Sequence, residues 1–238
     1  ARHFSGSPEG YLKPTAMLRH ALIALQTLFA TPLHARHAAK TDAALAAALQ
    51  HNGSQPTSLF VEQLEGYLKT AESWACRFSQ TSAAGVIIHS SADGRVRSFT
   101  PPHSPASLLQ ARSPGGHTSV QTLPGHIERL HTLRLNGYGH VYLLFTEHTD
   151  GDHTEKSLVL LHFAAEQLQA LPIIQTAPAA EPTHRLNIAY SGQHANNYFF
   201  YEPGSHTISQ PQISSHTHTP TNRRLKYRFN GQLFVPHS

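Results

Sequence analysis

Cysteine and charged residues are both scarce in this chain of 238 residues. The single cysteine, Cys76, excludes an internal disulfide framework and any zinc site built from several cysteines. Only 13% of the residues are charged, against about 25% in typical proteins. The 18 basic and 14 acidic residues are scattered, and this distribution argues against a partner that is a nucleic acid. Serine, threonine, amides and histidine must therefore supply much of the polar surface.

Sequence motifs of well-known enzyme classes are also lacking. There is no phosphate-binding loop and no dinucleotide-binding glycine pattern, and the stretch around Ser191 lacks the first glycine of a G-x-S-x-G motif. His126 and His131 are five residues apart, whereas the zinc-protease helix requires a spacing of four to present both rings on one face. We therefore favour a protein that binds over one that catalyses, with a hydrolase of unrecognised site as an alternative.

Histidine is the abundant residue, with 20 copies. Because imidazole titrates between neutral and mildly acidic pH, solubility and surface binding are predicted to change steeply between about pH 7 and pH 5. His216 and His218 would share one face of a strand and could bind zinc or copper, with His206 as a third ligand. The same stretch is rich in serine and threonine and ends at Pro220, so a solvated loop is the competing interpretation. A periplasmic, histidine-rich metal-binding protein is a second functional alternative.

A second polar cluster runs from Glu147 to His153 and contains acids and histidines around Gly151. It lacks the alternating oxygen ligands and the final glutamate of a calcium-binding loop. An exposed hairpin turn is the favoured interpretation, and a weak site for a divalent metal is the alternative.

The segment 17–35 has the three parts of a secretory signal peptide. Met17 is followed by Arg19 and His20, a short positive region; an apolar stretch runs from Ala21 to Ala30, and Ala35 is a plausible cleavage point. The competing interpretation is an amphipathic core helix, because leucines and Phe29 recur at helical spacing from Leu18 onward. The apolar stretch is shorter than the roughly 20 residues that span a bilayer, so no transmembrane span is expected. Residues 1–16 are polar and are predicted to be a disordered extension upstream of a start at Met17. A periplasmic or extracellular location follows from this interpretation.

The rest of the chain divides into helices over 36–78 and an antiparallel β domain over 79–238. Alanines and leucines predict a helix that ends near Asn52, and a second helix is predicted after Pro56. The second helix has an apolar stripe at a 3.6-residue period: Phe60, Val61, Leu64, Tyr67, Leu68 and Ala71. From residue 79 onward, short apolar runs alternate with turn signals such as Asp93-Gly94, Asn136-Gly137 and Asn230-Gly231. Residues 101–124 are predicted to be a loop.

The predicted fold class is therefore α+β and mostly β, with N-terminal helices followed by an antiparallel meander. A sandwich and a propeller-like fragment both fit this pattern.

Two hairpins resemble those of uncharacterised exported bacterial β-rich proteins. The run 91–99 contains the DGxxR pattern as Asp93-Gly94-Arg95-Val96-Arg97, and the run 224–235 has an aromatic pair followed by Asn230-Gly231 and Phe234. Gly115 and Gly116 match the Gly-Gly loop of those proteins loosely. The resemblance implies a β-rich shape and an exported location, and it implies no reaction. The favoured function is thus an exported, non-enzymatic binding or interaction domain at the cell envelope, with an unknown protein or ligand as its partner.

Overall fold

Helices come first along the chain and strands follow, in a computed structural model that describes residues 32–51, 58–194 and 196–237. The predicted extension 1–16 lies outside the described residues, as does the predicted signal segment up to residue 31. The last four residues of that segment belong to the first helix. The predicted fold class is confirmed, because N-terminal helices precede three antiparallel sheets.

The helical part has three α-helices and one 3₁₀ turn within the described ranges. They are α1 (Pro32–His51), α2 (Ser58–Leu68), the 3₁₀ turn (Ala71–Ala75) and α3 (Ser79–Ala83). The predicted stripe of α2 faces the core, with Phe60, Leu64 and Leu68 buried. On α1, Leu45 and Leu49 are buried on the side that meets α2 and the first sheet. The helices thus form one layer over that sheet.

In the described part of the chain, thirteen strands form three antiparallel sheets, and most neighbouring strands are consecutive in the sequence. Sheet A contains β1 (Ile87–Ser90), β2 (Val96–Thr100), β3 (Ala106–Arg112) and β4 (Thr118–Pro124). Sheet B contains β5 (His126–Leu135), β6 (Gly139–Asp150), β7 (His153–Ala164), β8 (Gln167–Ala170) and β9 (Arg185–Ser191). Sheet C contains β10 (Phe200–Glu202), β11 (Thr207–Ile213), β12 (Pro220–Phe229) and β13 (Phe234–His237). Both β8 and β9 pair with β7.

Sheet B lies between the other two sheets and is buried on both faces. On β6, Tyr142 and Leu144 pack towards sheet A, while Val141, Leu143 and Phe145 pack towards sheet C. Strand β7 alternates in the same way. This explains why both strands read as continuous apolar runs in the sequence, since a strand covered on both faces has no polar side.

The predicted loop over 101–124 is wrong, because it contains β3 and β4. The apolar signal of β3 is only Leu108 and Leu109, and its neighbours are small or polar. Gln110 is nevertheless fully buried, since its amide donates to the carbonyl of Leu68 and to the hydroxyl of Ser73 at 2.5 and 2.7 Å. Hydrogen bonds with the helical layer therefore stabilise a strand whose own sequence lacks the hydrophobic pattern on which a strand prediction depends.

The two ends of the DGxxR pattern connect sheet A to both of its neighbours. The Asp93 carboxylate accepts hydrogen bonds from the Tyr142 hydroxyl at 2.7 Å and from the Ser91 hydroxyl at 2.6 Å, so the β1–β2 turn is attached to sheet B. The Arg97 guanidinium donates to the carbonyls of Ser73 and Cys76, in the helical layer. The hairpin predicted from sequence thus connects sheet A to sheet B and to the helical layer.

Candidate functional site

An open cleft of about 700 Å³ lies where the β6–β7 turn meets the segment after β9. Glu147 and Thr149 on β6, with Asp152 in the turn, form one wall. Tyr190 on β9 and the segment that follows it form the other wall, with the side chains of Gln193, His194 and Asn197. The volume is within the range of roughly 300–1,000 Å³ that is usual for small-molecule sites. The cleft is lined mainly by hydrogen-bonding groups.

An ion triad adjoins this cleft and contributes Glu147 to its lining. The ammonium group of Lys156 on β7 binds the carboxylates of Glu147 and of Glu128, the latter at 3.0 Å. The pairing of β6 with β7 places Glu147 directly opposite Lys156. Glu128 joins them from β5, at a bulge in the register between Ile127 and Arg129. The Lys156 side chain is only 9% exposed, so its charge depends on the two glutamates for compensation.

The pKa values of the two glutamates in the triad are shifted in opposite directions. Burial would raise the pKa of Glu147, but its hydrogen bonds with Lys156 and Glu128 hold that pKa below the usual value. Burial and the shared hydrogen bond with Glu147 raise the pKa of Glu128 above the usual value. Burial opposes a charged Lys156, yet both glutamates raise its pKa. Glu147, which reaches the cleft, is therefore the carboxylate that stays ionised.

The opposite wall supplies ordered rings and amides. The Tyr190 ring meets the His194 ring edge-on with 5.6 Å between centroids, and burial raises the pKa of the Tyr190 hydroxyl. The Nε2 atom of His194 lies 2.8 Å from the carbonyl oxygen of Ser191, which holds the imidazole in place. Together with Glu147 and Asp152, these groups can accept hydrogen bonds from amines and hydroxyls. The cleft is acidic at its base and polar at its rim.

A second cleft of about 410 Å³ shares Glu147 with the first. Three imidazoles line it, from His103, His126 and His148. His126 is already engaged, with its Nε2 atom 2.7 Å from the carbonyl oxygen of Ser104. Within the described ranges, no three histidine, cysteine or acidic side chains are grouped closely enough to hold a metal ion.

The structure places the three predicted metal ligands apart from this region. His216 and His218 lie in the connection between β11 and β12, which is a turn and not a strand. His206 precedes β11, and its Nδ1 atom pairs with the Tyr201 hydroxyl at 2.7 Å. The zinc or copper site on His206, His216 and His218 stays a prediction, and the loop interpretation of the pair matches the observed turn.

The acidic cluster at 147–153 forms the expected hairpin turn, between the end of β6 and the start of β7. Sequence reasoning considered Glu147 as part of this cluster but missed its pairing with Lys156 and Glu128. The pairing of Glu147 with Lys156 could have been predicted from sequence, because a two-residue turn at Gly151 and Asp152 places these two residues opposite each other. No signal marked Glu128, since the bulge that positions it has no sequence cue of its own.

Cys76 is buried after the 3₁₀ turn, and burial raises the pKa of its thiol. A raised pKa keeps the thiol protonated and unreactive. Cys76 is thus a packing residue of the core that the helices share with sheet A.

Comparisons with known proteins yield no relative. The chain matches no protein-family model, no curated protein and no solved structure. Among the described helices, none combines the length and the apolar character that crossing a membrane requires.

Proposed function

We propose that the protein is an exported, non-enzymatic binding domain of the cell envelope, and that the cleft beside the β6–β7 turn takes a small amine-bearing sugar. The observation that carries the proposal is the ionised Glu147 at the base of an open, polar cleft of about 700 Å³. A cavity of this size accommodates one or two sugar units.

The charges around the cleft favour a cationic group in the ligand. Lys156 is one cation shared by two glutamates, and its side chain is buried beneath them. Asp152 adds a further acid at the rim. An ammonium group of the ligand would thus meet Glu147 and Asp152, with charge-assisted hydrogen bonds. Hydroxyl groups of the same ligand would find acceptors and donors in Gln193 and Asn197.

The test is calorimetric titration of the full chain with chitobiose, the glucosamine disaccharide with free amines. Its N-acetylated counterpart has the same rings and lacks the positive charge. We expect the free amine to bind, and Glu147→Gln and Asp152→Asn each to weaken binding about tenfold. Glu155→Gln is the matched control, since Glu155 neighbours Lys156 on β7 but does not line the cleft.

Two results would overturn the proposed ligand. One is equal affinity for the free and acetylated disaccharides, because it would show that the amine is not recognised. The other is the absence of binding at millimolar concentrations of the free amine. Asp152 is exposed, so Asp152→Asn tests the cleft even if Glu147→Gln disturbs the triad.

The exported location rests on the signal-like segment 17–35. Cleavage near Ala35 would leave Ala38, Leu45 and Leu49 on the mature chain, and these residues are buried in the helical layer. N-terminal sequencing of protein recovered from its native host is expected to begin near residue 36. A recovered chain that retains residues 17–35 would contradict export through this segment.

A further inference from the structure

The outer face of sheet C carries a row of cations. Arg224, Lys226 and Arg228 alternate along β12 and project away from the core, whereas Tyr227 between them is buried against sheet B. Side chains two residues apart on a strand share a face. The face that these cations form is the best-defined charged surface outside the cleft described above.

The register of sheet C gives this face a groove of about 320 Å³. Across the sheet, Phe200 is opposite Ser209, and Ser209 is opposite Lys226. In the next row Thr207 lies between Glu202 and Arg228. The hydroxyls of Ser209 and Thr207 therefore form the floor. Phe200 and Glu202 stand on one side, and the two cations stand on the other.

The two cations of the groove have no acidic partner among the residues that the structure describes. Within the described part of the chain, no carboxylate lies within 4 Å of Lys226 or Arg228. Arg224 differs, because it donates to the Ser209 hydroxyl and to the Tyr198 carbonyl and lies 4.9 Å from the centre of the Tyr198 ring. Lys226 and Arg228 are thus the charges that remain available to a ligand.

The opposite wall presents an apolar ring and a carboxylate. Phe200 is 49% exposed, so its ring is accessible to a ligand. Glu202 accepts a hydrogen bond from Ser205 at 2.5 Å and stays exposed. The groove thus offers the Phe200 ring, two cations, two hydroxyls and the Glu202 carboxylate. A matching ligand has an apolar face, several hydroxyl groups and a negative charge.

We propose that this groove binds an acidic sugar unit of a uronate-containing polysaccharide. The apolar face of the sugar ring covers Phe200, the carboxylate meets Lys226 and Arg228, and sugar hydroxyls donate to Glu202. A nucleic acid fits less well, since its backbone offers few hydroxyl donors to Glu202, and among the residues that line the groove only Phe200 and His237 have rings on which a base could stack. The groove is separate from the cleft at Glu147, so this proposal does not depend on the amine-bearing ligand.

The probe is trigalacturonate, titrated into the full chain at low and moderate salt. A neutral galactose trisaccharide controls for charge, and a single-stranded oligonucleotide with three phosphates controls for sugar recognition. We expect trigalacturonate to bind best and its affinity to fall with added salt, because screening weakens exposed charge pairs. Lys226→Gln with Arg228→Gln is expected to reduce the affinity about a hundredfold, and Phe200→Ala about tenfold.

Arg223→Gln is the matched control, because Arg223 is exposed on the same strand and has the opposite facing. It is expected to change the affinity less than about twofold. The proposal is overturned if trigalacturonate does not bind at millimolar concentration, or if the oligonucleotide binds as tightly. An equal loss of affinity in Arg223→Gln would likewise overturn it, since general charge would then account for the binding.

Discussion

Arg97 is a charged residue in a position where an apolar one is usual. Its guanidinium donates to the Gln110 side chain and to the carbonyls of Ser73 and Cys76, and it lies 4.4 Å from the centre of the Trp74 ring. Burial lowers the pKa of Arg97 to about 10, so the group remains charged at neutral pH. Because all of its partners are neutral, it acts as a multiple donor that joins the helical layer to sheet A.

Replacement of Arg97 by methionine tests this role. Arg97→Met keeps much of the packing volume but removes the donors to the buried Cys76 carbonyl and to the Gln110 oxygen. The Ser73 carbonyl loses one of two donors, since it also accepts from the Cys76 backbone N–H. We expect the free energy of unfolding to fall by about 3 kcal/mol, measured by urea denaturation. Arg112→Met is the control, since Arg112 also approaches Trp74 but is exposed. Equal losses in the two variants would refute the donor role of Arg97.

Single residues show clearly what the sequence can and cannot predict. The DGxxR pattern singles out Asp93 and Arg97, and the Asp-Gly pair predicts the turn, where Gly94 has a φ of +67°. The pattern does not reveal that Arg97 reaches Ser73 and Cys76, because those contacts depend on how the helices lie over the sheet. The Lys156 triad is hidden for the same reason, since Glu128 comes from a different hairpin.

At the scale of elements, the β1–β2 turn holds two sheets together through Asp93. Its carboxylate accepts hydrogen bonds from Tyr142 and Ser91, and His140 lies 3.0 Å away. Burial would raise the pKa of Asp93, but these hydrogen bonds hold it below the usual value. The stabilisation is therefore present above the ordinary pKa of aspartate, about 4, and is lost as the pH falls through the lowered value.

Asp93→Ala is expected to lower the melting temperature by about 4–8 °C at pH 7, which corresponds to roughly 2 kcal/mol for a chain of this size. The buried Tyr142 hydroxyl loses its acceptor in this variant. Differential scanning calorimetry measures the shift, and Asp150→Ala in the exposed β6–β7 turn is the control. A shift of the same size in Asp150→Ala would argue against a specific role of the Asp93 joint.

A helix or strand is predictable from sequence when its own residues show the hydrophobic pattern of that element. The helix α2 is amphipathic and appears where its apolar stripe predicts it. Strands β3 and β4 were missed, because their polar residues are satisfied by other layers, as with Gln110. Strand β8 ends at Ala170, and the apolar residues Leu171, Ile173 and Ile174 after it pack in the core without continuing the β7–β8 ladder.

At the scale of the whole molecule, two of the abundant histidines, His89 and His131, affect stability because packing against the sheets partly desolvates their rings. Desolvation lowers the pKa of His89, and its buried Nε2 atom has no hydrogen-bond partner among the described residues. His131, which lies near His89 and Arg129, also has a lowered pKa, first through burial and then through repulsion by these neighbours. Because the unfolded chain protonates these rings more readily, stability is complete above about pH 6.5 and falls on acidification.

We therefore expect the free energy of unfolding to decrease between pH 7.5 and pH 5.5. His89→Gln is expected to flatten this dependence, whereas His216→Gln in an exposed turn should leave it unchanged. Urea denaturation at a series of pH values measures both. A pH dependence that is identical in the two variants would show that His89 is not its source.

The position of sheet B has a consequence for how the molecule comes apart. Strands β6 and β7 contribute side chains to two of the three clusters that hold the layers together. If β6 and β7 separate from their neighbours, the inner faces of sheets A and C are both exposed to solvent. We therefore expect all three sheets to unfold in a single cooperative transition. Fluorescence of Trp74, at the helical end, and backbone dichroism, which averages over all the sheets, should then report the same transition midpoint.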